Sequence, residues 1–125
     1  MDLNQITLPS TDLTRSIAFY QSLGFRLIVH THAAYARFEC PTGHATFSLH
    51  LVESLPKAGG IQVYFECERL DQKVAELQAE DIQFQQLPLD QPWLWREARL
   101  LDPDNNQLIL YYAGENRKNP PWRIT

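Results

Sequence analysis

The sequence predicts an α+β fold: two βαβββ modules whose mixed sheets curl into a cupped, barrel-like surface with the helices outside. Two observations predict it. Runs of alternating polar and apolar residues are interrupted by two helical stripes. A constant offset of 57 then maps one half of the chain onto the other: Gln5 onto Gln62, Ile6 onto Val63, Leu8 onto Phe65, Leu13 onto Leu70, Ile17 onto Val74, Tyr20 onto Leu77 and Phe25 onto Ile82. A strand, a helix stripe and the next strand match without a gap, which is the signature of one supersecondary unit used twice.

In the first module, Gln5–Leu8 alternates with strand period. Ser10, Thr11 and Asp12 offer caps for a helix whose apolar stripe is Leu13, Ile17 and Tyr20, and Gly24 marks its stop. Phe25–Val29, Tyr35–Glu39 and Thr46–Val52 read as strands. Turn signals stand at Cys40-Pro41-Thr42-Gly43 and across Pro56 to Gly60. In the second module, Gln62–Cys67 is a strand and Leu70, Val74 and Leu77 form a helix stripe. Ile82–Leu87, Trp93–Leu100 and Gln107–Tyr112 are the remaining strands. The expected organisation is a single domain, with module one at about 4–54, module two at about 60–113 and an extended tail over 114–125. Pro120-Pro121 favours that extended course, and Trp122 and Ile124 are expected to dock on the body or on a partner subunit.

Composition sets the outer bounds. The chain has 125 residues, 44% of them apolar, enough for a packed core without disulfides or a structural metal. A net charge of −4 argues against a general nucleic-acid grip. No uncharged apolar run reaches the roughly 18 residues of a membrane span, and no basic segment followed by an apolar stretch opens the chain. The expectation is a soluble cytoplasmic protein. Cys40 and Cys67 lack metal-site spacing and read as small buried apolar residues in a reducing compartment.

Strand alternation then sorts two sheet faces. Ile6, Leu8, Phe38, Phe47, Leu49, Val63, Phe65, Cys67, Leu108 and Leu110 are expected to face the helices. Gln5, Thr7, Tyr35, Arg37, Ser48, His50, Gln62, Tyr64, Glu66, Ile109 and Tyr111 take the opposite face. That second face is either solvated or lines a ligand cleft, and the second sheet is there to close the cup.

The stretch from Gln5 to Phe25, QITLPSTDLTRSIAFYQSLGF, resembles the opening of the vicinal oxygen chelate proteins, the glyoxalase, bleomycin-resistance and extradiol-dioxygenase group. Asp102-Pro-Asp-Asn-Asn-Gln-Leu-Ile-Leu110 is similar to their closing signature. The resemblance runs from Gln5 to about Ala113. It implies two paired modules, commonly dimeric, in a group that includes metal-dependent lyases and isomerases, dioxygenases, thiol transferases and drug-sequestering binders.

The resemblance also places the metal ligands of metal-using members on this chain, at Gln5 and Gln62 in the first strands and at Ser48 and Ile109 in the last. This set is degenerate. A divalent metal needs three or four donors, usually with carboxylate or imidazole among them. Gln5 and Gln62 are neutral amides, Ser48 is a poor ligand and Ile109 is none. Nor can Ile109 act as the carboxylate base that glyoxalase-type proton abstraction requires. No cofactor is therefore expected. A divalent metal is left to an offset site of His50, Glu66 and a Gln, with His50 otherwise a lone pocket or rim histidine, or to His30-x-His32 if that pair stays in a strand. His30, His32 and His44 fall in or beside turns.

The run Gln91-Pro-Trp-Leu-Trp-Arg-Glu-Ala-Arg99 is the most unusual segment. Alternation puts Trp93 and Trp95 on one face, followed by Glu97 and Arg99. Two indoles beside an arginine suit a planar or anionic ligand, or else pack in a subunit interface or over a strand edge. Tyr35, Arg37, Tyr64 and Tyr111 complete the expected ligand surface. Arg37 either contacts an anion or pairs with Glu39 or Glu66. Asp102–Asn106 lacks the spaced acceptors of a calcium loop and reads as a turn. The sequence thus points to a homodimeric protein that binds a small organic molecule, rather than to an enzyme. The alternatives are a divergent lyase or isomerase, with His50 as base or ligand and Glu66 as acid, base or ligand, and a dimeric scaffold with no ligand.

Overall fold

The computed structural model describes residues 2–57 and 61–124. The end of the turn signal at Ala58-Gly59-Gly60 lies outside the described residues. Two compact units emerge, Met1–Gly60 with Asp102–Asn106, and Ile61–Leu101 with Gln107–Thr125. The fold is α+β, and each unit is a four-stranded mixed sheet with one helix. No helix is long and apolar enough to cross a membrane among the described residues.

In the first unit, β1 (Gln5–Ser10), α1 (Leu13–Ser22), β2 (Arg26–Thr31), β3 (Tyr35–Glu39) and β4 (Thr46–Leu51) follow the expected order. The sheet runs β1-β4-β3-β2, with β1 parallel to β4 and the other pairs antiparallel. Asp12 caps α1 by accepting from the Arg15 N–H at 3.1 Å. The helix buries Leu13, Ile17 and Tyr20. The Tyr20 ring meets Phe25, Phe38 and Phe47 at centroid distances of 5.8, 6.0 and 4.6 Å. An aromatic cluster therefore fills the space between helix and sheet.

The second unit repeats the plan with β5 (Gln62–Glu66), α2 (Leu70–Ala79), β6 (Gln86–Asp90), β7 (Arg96–Leu101) and β8 (Gln107–Tyr112). Its sheet runs β5-β8-β7-β6, and β5 is parallel to β8. Its core is aliphatic: Val63, Leu70, Val74, Leu77, Leu100 and Leu108 are all buried. Burying each such side chain stabilises the fold by roughly 1.5–3 kcal/mol.

The repeat extends to single hydrogen bonds. At the end of α1 the Phe25 N–H donates to the Tyr20 carbonyl, and at the end of α2 the Ile82 N–H donates to the Leu77 carbonyl, both at 3.1 Å. These are the wide bonds that close a helix through a left-handed residue. That residue is Gly24 at φ +102° in one module and Asp81 at φ +64° in the other.

Several boundaries differ from expectation. Phe25 lies before β2 and is buried in the core. The strand expected at Ile82–Leu87 starts only at Gln86, because the closing turn of α2 occupies Asp81 and Ile82. Pro88, which has no N–H for a ladder, is tolerated because β6 is the edge strand. The strand expected from Trp93 begins at Arg96 instead. Leu94 sits at φ +67° in a turn closed by its N–H to the Gln91 carbonyl, so Trp93 and Trp95 share no strand face. The segment expected to run extended after Ala113 opens with a 3-10 turn, Gly114–Arg117, named η1. Trp122 and Ile124 are 57% and 90% exposed, so neither docks on the body of its own chain. Cys40 and Cys67 are half-buried free thiols, and burial pushes both thiol pKa values up.

The acidic loop Asp102–Asn106 is the expected turn, but it does more than turn. Asp102 Oδ1 accepts from the Asp104 and Asn106 N–H groups, and Asn105 takes φ +63°. Asp102 Oδ2 accepts from Tyr20 Oη at 2.7 Å. Asp104 accepts at Oδ1 from the Thr11 N–H at 2.9 Å, the Thr11 hydroxyl at 2.5 Å and Arg15 Nη2 at 3.1 Å. Its Oδ2 accepts from Ser16 Oγ at 2.9 Å. The start and the core side of α1 are thus satisfied by carboxylates some ninety residues further along the chain. Burial alone pushes the Asp104 carboxyl up, but hydrogen bonds from Thr11, Ser16 and Ser10 outweigh it and hold the group below the ordinary carboxylate range.

Candidate functional site

Each unit presents one sheet face away from its helix core. In the first unit, ladder pairs Gln5↔Thr46, Thr7↔Ser48, Arg37↔Ser48 and Tyr35↔His50 place these residues side by side. Their polar atoms form one connected chain. Thr46 Oγ1 donates to Gln5 Oε1, and Gln5 Nε2 donates to Ser48 Oγ. Ser48 Oγ lies 2.7 Å from Tyr35 Oη, and Arg37 Nε donates to Tyr35 Oη at 2.9 Å. The Arg37 guanidinium also lies 5.3 Å from the Tyr35 ring centroid. Ser48 is fully buried, while Tyr35 and Arg37 are half-exposed and His50 is exposed. Burial tends to raise the Tyr35 pKa, but hydrogen bonds to Ser48 and Arg37, with the Arg37 charge, bring it below the ordinary phenol value. Among the described residues no carboxylate pairs with Arg37, so the expected partners Glu39 and Glu66 leave it free.

The second unit's face is aromatic. Trp95 stacks on Tyr111 at 4.8 Å and 25°, and Tyr64 meets both rings edge-on at 5.9 and 5.4 Å. Trp95 and the buried Ile109, Tyr111 and Ala113 pack as one cluster. The Trp95 indole N–H donates to the Asn116 carbonyl at 3.2 Å. Trp95 therefore belongs to packing as much as to a ligand surface, whereas Tyr64 is 39% and Trp93 41% exposed. Burial, then the Glu97 charge, push the Tyr64 phenol up, with Arg99 opposing. Burial, then Glu66, push Tyr111 up.

Sequence reasoning did not single out Glu97. It is fully buried, and its two oxygens take Trp93 Nε1 at 2.8 Å and Arg99 Nη2 at 3.1 Å. Its parity with Arg99 on β7 was the only available signal. Arg99 Nε is buried with no hydrogen-bond partner among the described residues. Glu66 is committed locally. Its Oε2 accepts the Ala113 and Gly114 N–H groups at 2.8 and 2.9 Å, and its Oε1 lies 3.5 Å from Arg117 Nε. It anchors the start of η1. His50 and Glu66 belong to different units. His30 lies in β2, which ends at Thr31, and His32 sits in the following turn at φ +53°, so they share no strand.

The ladders give the two modules the same arrangement at the last-strand positions that the resemblance marks for a metal. Ser48 stands opposite Arg37, and Ile109 stands opposite Arg99. The donor set does not fit a divalent cation. Ile109 offers no donor atom and is fully buried. The Gln5 carbonyl oxygen is taken by Thr46, and Gln62 Oε1 accepts from Tyr64 Oη at 3.3 Å. The Arg37 guanidinium beside Ser48 repels a cation and attracts an anion, whereas the Arg99 charge beside Ile109 is offset by Glu97. Among the described residues no group of three or more His, Cys, Asp or Glu converges.

Solved structures share this fold. A glyoxalase/bleomycin resistance protein/dioxygenase from Nocardioides is 22% identical, with 100% of this chain and 90% of that one covered and a TM-score of 0.78. A bleomycin resistance determinant encoded on the transposon Tn5 is 23% identical, with 90% and 98% covered and a TM-score of 0.75. A lactoylglutathione lyase from Agrobacterium tumefaciens is 18% identical, with 89% and 92% covered and a TM-score of 0.74. Among curated proteins none matches the chain. The family model for the glyoxalase/bleomycin resistance protein/dioxygenase superfamily matches residues 2–110. With nearly the whole chain matched and both βαβββ modules in place, the protein belongs to that superfamily.

Proposed function

We propose that this protein binds a small organic molecule on the exposed polar and aromatic faces of its sheets, without a firmly held metal, and acts by sequestering it. One observation carries the reading: Arg37 stands across the ladder from Ser48 with no carboxylate partner among the described residues. The first module's last-strand position, which the resemblance marks for a cation, is here flanked by positive charge, and that favours an anionic or strongly polar ligand. In the first unit Tyr35 supplies a polar contact; in the second, taken by itself, the exposed rings of Tyr64 and Trp93 supply apolar contact area. On this reading the protein works as a binder of the bleomycin-resistance kind. The reading includes a homodimer and a cytoplasmic location.

Catalysis through His50 and Glu66 has weaker support. The Glu66 carboxylate already accepts two backbone N–H groups and faces Arg117, which leaves it little capacity as an acid or base.

Two measurements test the proposal. Elemental analysis of the purified protein, with and without chelator, is expected to find no stoichiometric Zn, Ni, Mn or Fe. Thermal-shift screening with planar antibiotics and glutathione adducts is expected to raise the melting temperature, because a ligand that binds only the native state must stabilise it. Stoichiometric metal through His50, or no shift with any ligand class, defeats the reading.

A further inference from the structure

The hydrogen bonds around Tyr35 run in one direction, and Gln5 sets it. Gln5 Nε2 lies 3.5 Å from the Ile6 carbonyl oxygen and 3.4 Å from Thr7 Oγ1, while its Oε1 accepts from Thr46. In this orientation the amide nitrogen has the Ile6 carbonyl, Thr7 Oγ1 and Ser48 as acceptors, and it is the N–H that points at Ser48. Ser48 Oγ is thus an acceptor from Gln5. Ser48 is fully buried, so its own O–H needs an acceptor, and Tyr35 Oη at 2.7 Å is the one in reach among the described residues. Arg37 Nε donates to the same phenol oxygen at 2.9 Å. Tyr35 Oη therefore accepts two hydrogen bonds, one of them from a cation. Its own proton must point away from both, off the sheet face.

The surroundings leave that geometry unopposed. On this face β4 contributes Ser48 and His50, and β2 contributes Val29 and Thr31, the ladder partners of Arg37 and Tyr35. From β1 come Gln5 and Thr7. Arg37 is the charged group that meets the phenol, and His50 is the titratable side chain across the ladder from it. The Arg37 Nη groups have no acceptor among the described residues.

We infer that Tyr35 is the ligand-facing proton donor of the first unit and that, with the Nη groups of Arg37, it holds a carboxylate oxygen of the ligand. The ligand half of this inference rests on the proposed binding function; the phenol chemistry does not. The neutral phenol donates O–H to the carboxylate while Arg37 supplies the counter-charge. When the phenol ionises, its proton leaves to solvent, and Ser48 and Arg37 hold the phenolate. Burial pushes the Tyr20, Tyr64 and Tyr111 phenols up, which sets Tyr35 apart from them.

The test uses the tyrosinate absorbance in the near ultraviolet, followed through an alkaline titration of the wild-type protein, Tyr35→Phe and Arg37→Gln. The lowest-pH phenol transition is expected in the wild type, absent from Tyr35→Phe and moved upward in Arg37→Gln. Benzoate, titrated calorimetrically, is expected to bind the wild type and to weaken about tenfold in either variant, the order of one lost charge-assisted hydrogen bond. Tyr35→Phe removes one oxygen and keeps the ring, so a folded variant is available even if Arg37→Gln destabilises the sheet. Tyr35 ionising with or after the other tyrosines overturns the phenol chemistry. Benzoate that fails to bind, or binds both variants as tightly as the wild type, overturns the carboxylate site. A planar antibiotic that still shifts the melting temperature in that case leaves the proposed binding function standing.

Discussion

Replacing Asp104 by alanine removes the acceptor for four groups at the start of α1: the Thr11 N–H, the Thr11 hydroxyl, Arg15 Nη2 and Ser16 Oγ. Hydrogen bonds to a charged group contribute about 1.5–3 kcal/mol each. They do not add here. Thr11 and Arg15 are exposed, so water replaces much of what they lose, and the Arg15 pair is a half-exposed ion pair of small worth. Ser16 is buried and keeps only Ser10 Oγ at 2.8 Å, so its loss is closer to the full value. The expected cost is about 3 kcal/mol near neutral pH, which lowers the midpoint of thermal unfolding by roughly 10 °C for a chain of this size. The pH dependence follows from the lowered folded-state pKa. The contribution is complete above the unfolded value of about 3.9 and is lost as pH falls through the lowered folded value. Urea melts of the wild type and Asp104→Ala at neutral pH and near pH 3 should therefore converge in acid. A deficit below about 0.5 kcal/mol at neutral pH, or one that does not shrink in acid, would refute the assignment of this loop as the acceptor for α1.

Trp95→Ala should cost about 2–3 kcal/mol in a urea melt, because it strips the stacked ring from Tyr111 and uncovers Ile109. An unchanged midpoint would mean that the indole is a ligand contact only. Gly114→Ala should cost about 1 kcal/mol. The residue stands at φ +56°, and the added Cβ would lie 2.9 Å from Tyr112 Oη and 3.2 Å from its Cζ, so the half-exposed Tyr112 ring must shift. Chemical denaturation that left Gly114→Ala as stable as the wild type would remove any special role for this backbone conformation.

The modular plan was legible because it depends on short-range period and on a repeat. The bounds of Tyr35–Glu39 and Gln107–Tyr112 agree with expectation to the residue, although β8 is buried on both faces rather than alternating. The offset that maps Tyr20 and Phe25 onto Leu77 and Ile82 reaches down to the bond that ends each helix. Failures came where a local rule was overridden. Leu94 adopts a left-handed conformation that a leucine gives no warning of, and it cuts Trp93 and Trp95 out of the expected strand. Trp95 reads as a ligand platform in isolation, yet stacks on a residue sixteen positions away. Face parity brought Tyr35, Arg37 and Ser48 together correctly, but their hydrogen-bond order depends on Gln5, which alternation can place and cannot orient. The acceptors for α1 were out of reach for a simpler reason: Thr11 and Asp104 are 93 residues apart.

That separation bears on how the chain is made and how it can be divided. While it is being synthesised, the first helix has its own Asp12 cap but must wait for the acidic turn to emerge before Thr11, Ser16 and Tyr20 find their carboxylates. A fragment ending near Gly60 would carry every strand of the first sheet and still lack these partners. Fragments severed between the two repeats should recover the native helix start only on reassociation, with the late segment acting as a clasp supplied in trans.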